Sequence, residues 1–60
     1  MITKASVKQE LAECVRLGML SKALAAKVLA RCTEEVLAEA NANGMRQVEF
    51  IDLRVELACI

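Results

Sequence analysis

Leu24, Val28, Cys32, Val36 and Ala40 recur every four residues through the middle of this chain, and Ala25, Leu29 and Leu37 widen the row into a stripe. That spacing places apolar side chains on one face of an α-helix, with Lys27, Arg31, Glu34, Glu35 and Glu39 mostly on its polar side. With Ser21 as N-cap and Gly44 as terminator, the pattern predicts one helix from Ser21 to Asn41–Asn43, roughly 30–35 Å long at 1.5 Å per residue. A short first helix cannot cover such a stripe. In a single domain of 60 residues, which buries little surface when alone, the uncovered part predicts an antiparallel crossing with the same helix of a second copy.

The flanking segments are shorter. A capping box at Ser6-Val-Lys-Gln9 starts a first helix there, or Thr3 starts it a turn earlier. Val7, Leu11, Cys14 or Val15, and Leu17 or Gly18 form its buried stripe, and Gly18 ends it. From Met45 to Ile60 two patterns compete. Ile51, Leu53, Val55 and Leu57 alternate with Asp52, Arg54 and Glu56, as in a half-buried strand. Phe50, Leu53, Leu57 and Ile60 also keep helical spacing, and Asn43-Gly44 reads equally as a helix end or a hairpin turn.

Composition narrows the function classes. At 57% hydrophobic with Phe50 as its one aromatic residue, the chain predicts an aliphatic core partly shared between subunits. No window approaches the roughly 18 apolar residues of a membrane span, and the first ten residues lack the apolar run of a secretory signal. The expected location is therefore the cytoplasm. Cys14, Cys32 and Cys59 are odd in number, without Cys-x-x-Cys spacing or a histidine, which predicts free thiols and neither disulfides nor a metal site. With no histidine, no phosphate-binding glycine loop and no nucleophile beside a base, neither an enzyme nor a cofactor is expected.

The net charge of +0 conceals two unlike halves. Lys4, Lys8, Arg16, Lys22, Lys27 and Arg31 against Glu10 and Glu13 make residues 1–31 net +4. Arg46 and Arg54 against Glu34, Glu35, Glu39, Glu49, Asp52 and Glu56 make the remainder net −4. In one long central helix this sets lysines at the N-terminal end and glutamates toward the C-terminal end, the reverse of what the helix dipole favours. Such an inversion suits an N-terminus that holds phosphate.

The order short helix, long helix, short helix resembles the histone fold. Leu37-Ala-Glu-Ala-Asn-Ala-Asn43, then Gly44, Met45-Arg46-Gln47-Val48 and Asp52-Leu53 are similar to the segment that ends the central helix in archaeal and bacterial histones. Gly18-Met-Leu-Ser21 stands where that family has its first short turn. The closest likeness is to short, tail-less bacterial histones, with three departures: Met45 replaces the arginine that resembles a clamp to the later aspartate, Gln47 replaces a threonine, and Glu49 stands where a Ser, Thr or Pro cap is usual.

The resemblance implies an all-α histone fold and an intertwined homodimer; a helical hairpin with a C-terminal β-strand is the alternative. It also implies nonspecific binding to the double-stranded DNA backbone, as in nucleoid organisation. Lys4, Lys8, Arg16, Ser21, Lys22 and Arg46 are the expected DNA contacts. Leu24, Val28, Leu29, Cys32, Val36, Leu37, Leu53 and Leu57 are the expected dimer interface. The competing reading is a dimeric protein–protein interaction module, or a small repressor- or antitoxin-like dimer.

Overall fold

A computed structural model of residues 1–60 shows four helices and no strand: α1 (Lys4–Arg16), α2 (Lys22–Ala30), α3 (Glu34–Ala42) and α4 (Gln47–Cys59). Each boundary has a local cause. The Thr3 side chain accepts the Ser6 N–H at 3.1 Å and the Ser6 hydroxyl accepts the Thr3 N–H at 3.1 Å, so α1 starts at the earlier of the two expected places. Ser21 caps α2 by accepting the Leu24 N–H at 3.1 Å.

Both glycines end helices, as expected. At Gly18, φ is +76°; its N–H donates to the Val15 carbonyl, and Met19 N–H reaches back to Cys14 at 2.8 Å. Gly44, at φ +68°, repeats the arrangement, with Met45 N–H donating to Ala40 at 3.0 Å. These are Schellman closures, in which a left-handed residue lets the chain reverse onto the last carbonyls.

The middle segment corrects the expectation of one long helix. It breaks at Arg31, Cys32 and Thr33: Arg31 closes α2, and Thr33 adopts an extended conformation whose hydroxyl accepts the Val36 N–H at 3.3 Å. A straight rod from Ser21 to Asn43 would measure about 33 Å. The whole molecule spans 31 × 22 × 16 Å. The break also undoes half of the inverted charge pattern. Lys27 lies in the last turn of α2, and Glu34 and Glu35 lie in the first turn of α3. Cations at a C-terminus and anions at an N-terminus are what helix dipoles favour, each worth about 0.3–1 kcal/mol. Lys22 still opens α2 and Glu39 still lies in the last turn of α3, so of the inverted pattern only these two remain.

The last segment is helix, not strand. Phe50, Ile51 and Ala58 face inward, Val55 and Arg54 are half-buried, and Leu53 and Leu57 stand outside. The apolar/polar alternation from Ile51 to Leu57 thus describes two flanks of one helix.

Because the middle segment folds back, the core closes within one chain. α2 packs against both α1 and α4. Val7 and Leu11 from α1, Ala25 and Val28 from α2, and Phe50, Ile51 and Ala58 from α4 are buried together with Cys32, Leu37, Ala40 and Ile2. Two polar clasps hold the ends. The Asn41 amide accepts the Ile2 N–H at 2.8 Å and donates to the Ile2 carbonyl at 2.9 Å, fastening the end of α3 to the chain start. Gln47, in the first turn of α4, accepts the Ser6 hydroxyl at 2.5 Å and donates to Glu10 at 2.6 Å.

Asn41→Ala removes both Ile2 bonds and leaves the backbone of a buried residue without partners. We expect a loss of about 1–3 kcal/mol, read as a lower urea midpoint with an unchanged slope.

Candidate interaction surface

The expected DNA contacts are not drawn together within the chain. Lys4 and Lys8 lie exposed one turn apart at the start of α1, and Arg16 closes that helix. Ser21 and Lys22 open α2, after the last turn of α1. Arg46 caps α4, whose first turn is fastened to Ser6 and Glu10 in the first half of α1. The two loops therefore sit toward opposite ends of α1. Two cations are already engaged: Arg16 with Glu13, and Arg46 with Glu49 at 3.0 Å. The first pair holds the Glu13 carboxyl below its usual range and raises the Arg16 guanidinium. Being exposed, it contributes little to stability. The Ser21 oxygen is spent on its cap, while Lys4, Lys8 and Lys22 have no ion pair.

The expected interface residues divide in two. Val28, Cys32 and Leu37 are buried in the chain's own core, and Leu24, Leu29 and Val36 are half-buried against it. These six do not form a free seam, because the break at Cys32 turns α2 and α3 toward α1 and α4. Leu53 and Leu57 remain exposed, at 40% and 44%. They lie one turn apart on α4.

Leu53 borders a hollow of about 120 Å³ shared with Val36, Ala40, Met45, Phe50 and Arg54. Arg54 lies with its guanidinium carbon 5.6 Å from the Phe50 ring centre, and its Nε–H is buried with no acceptor in the chain. A buried donor without a partner is costly. Arg54 is not among the residues that the sequence pattern singles out. The Phe50/Arg54 spacing of four was its one local signal, since that spacing sets a guanidinium beside a ring on a helix.

Cys32 lies under the α2–α3 junction, 1% exposed. Burial raises its thiol pKa; nearby Lys4 and Arg54 oppose that shift and Glu34 adds to it. Cys14 is half-buried and Cys59 exposed, and all three are free. No three His, Cys, Asp or Glu side chains converge as a metal would require, and no helix is long and apolar enough to cross a membrane.

No family model, curated protein or solved structure matches the chain.

Proposed function

We propose that the chain is a small interaction module that dimerises along the free edge of α4. The observation that carries this reading is that Leu53 and Leu57 stand exposed one turn apart on α4, beside the hollow that Leu53 shares with Val36 and Met45. An apolar edge loses its contact with water when a second copy covers it. Only 11 of 60 residues are buried, a core small enough for further burial to matter to stability. A standard interface takes about 800 Å² from each partner. That would be about a fifth of the 4218 Å² surface, so the contact extends from Leu53 and Leu57 toward Val36 and Met45.

The test is sedimentation of the whole chain beside Leu53→Glu/Leu57→Glu. Both positions are exposed, so the variant keeps its helical circular dichroism. The wild type sediments as a dimer and the variant as a monomer. A wild type that stays monomeric at high micromolar concentration rejects the reading.

An intertwined histone-type dimer is a different assembly, since it requires Arg31–Thr33 to straighten and α2 and α3 to merge. DNA-backbone binding is the second reading, favoured by Lys4, Lys8 and Lys22 standing exposed without ion pairs. It predicts a salt-sensitive, sequence-neutral affinity. Anisotropy of a duplex across salt tests it, and a Lys4→Glu/Lys8→Glu/Lys22→Glu variant that binds as tightly as the wild type removes it.

A further inference from the structure

On the opposite flank of α4 from Leu53 lies a second hollow, of about 290 Å³. Its apolar wall comes from Cys14 at the end of α1, Met19 and Leu20 in the following turn, and Ile51 and Val55 on α4. Asp52 and Glu56 are the charged residues of its lining, one turn apart, exposed and outside any ion pair. No lysine or arginine lines it. Met19 is 69% exposed and Leu17 58%, so apolar surface continues beyond the hollow.

The geometry points to a docking groove for a cationic amphipathic helix of another protein. This inference goes beyond the dimer reading and uses a different face of α4. Charge complementarity selects the occupant. Two unpaired carboxylates beside an apolar cleft attract lysine or arginine next to a long apolar side chain, and they repel nucleic acid. Met19, Asp52 and Glu56 at its rim are exposed, so the hollow lies open to solvent and suits anchoring side chains of a larger partner. An amphipathic helix supplies such anchors at three- and four-residue spacing, with cations beside them. Met19 is suited to the mouth, because an unbranched thioether adapts to different anchors.

A second copy is a poor occupant. The long apolar side chain it exposes beside the unpaired Lys4 is Met1, which precedes α1 and is a single anchor, not one of a row at three- and four-residue spacing.

The experiment titrates the full chain against a fluorescent peptide with leucines at three- and four-residue spacing and lysines elsewhere, and against its counterpart with glutamate for lysine. The lysine peptide binds, more weakly as salt rises, and the glutamate peptide does not. Asp52→Lys/Glu56→Lys, at exposed positions, weakens binding about tenfold, as loss and reversal of two rim charges should. Glu34→Lys/Glu35→Lys changes total charge equally but leaves binding as it was. Leu53→Glu/Leu57→Glu also keeps it, whatever that variant does to self-association. Absent binding of the lysine peptide overturns the proposal, as does unchanged binding by the Asp52/Glu56 variant. Equal weakening by the Glu34/Glu35 variant shows plain charge attraction and overturns it too, and loss in the Leu53/Leu57 variant places the peptide on the other edge with the same consequence.

Discussion

Phe50→Ala is expected to unfold most of the protein at 25 °C. Phe50 is the largest fully buried side chain and belongs to the helix that α2 packs against. Truncating a buried phenylalanine costs about 3–5 kcal/mol, from lost burial and from the cavity left behind. A single core in a chain this short rarely supplies more than about 3–5 kcal/mol altogether. The two figures are alike, so the variant should lose most of its helical circular dichroism. Val48→Ala, on the exposed side of the same helix, should stay within about 0.5 kcal/mol of wild type. A Phe50→Ala chain that melts like the wild type would mean that α4 does not seal the core.

The second large effect is chemical protection of Cys32. Alkylation with iodoacetamide should label Cys59 promptly and Cys32 only when the chain opens, because the Cys32 thiol is buried and Cys59 is exposed. With opening at about 3–5 kcal/mol, Cys32 should react roughly a hundred- to several-thousand-fold more slowly than in urea. Comparable labelling of Cys32 and Cys59 in the native chain would show the α2–α3 junction to be open.

A pH dependence accompanies this protection. Burial raises the Cys32 thiol in the folded chain, so the folded state holds its proton where the unfolded state releases it. The resulting stabilisation is complete below the ordinary thiol value of about 8.5 and is lost as pH rises from there through the higher folded value. Urea midpoints should therefore fall between neutral pH and pH 10, and a Cys32→Ala variant should show less of that fall.

Much of the architecture was legible in the residues. Gly18 and Gly44 marked helix ends because reversing the chain there takes a left-handed residue, and Ser21 marked a start because its oxygen can satisfy a free N–H. The break at Cys32 was hidden because the four-residue apolar row runs through it, and because neither glycine nor proline marks it. Its signal was Thr33-Glu34-Glu35, an N-cap followed by two acids, which is how a helix begins rather than continues. Without that start, Lys27, Glu34 and Glu35, which suit the dipoles of two short helices, read as part of one inverted helix and lent weight to phosphate binding.

The last helix was ambiguous for another reason. Residues 51–57 satisfy both periods, and the choice fell to tertiary packing, with Phe50, Ile51 and Ala58 buried on one side. The helical row Phe50, Leu53, Leu57 and Ile60 named the wrong inward face: Phe50 alone of the four is buried, and Ile51 and Ala58 complete that face. The Asn41 and Gln47 clasps join residues about forty positions apart, and no local pattern announces them.

The central claim is that the middle segment folds back at Cys32 and closes its core within one chain. Isotope-filtered NOE spectroscopy on a mixture of labelled and unlabelled chains tests it most directly. Contacts between the Phe50 ring and the Ala25 and Val28 methyls should arise only within a chain, while any contacts between chains involve Leu53 and Leu57. Phe50 contacts to α2 of another molecule, together with unbroken helical carbon shifts through Arg31–Thr33, would contradict it.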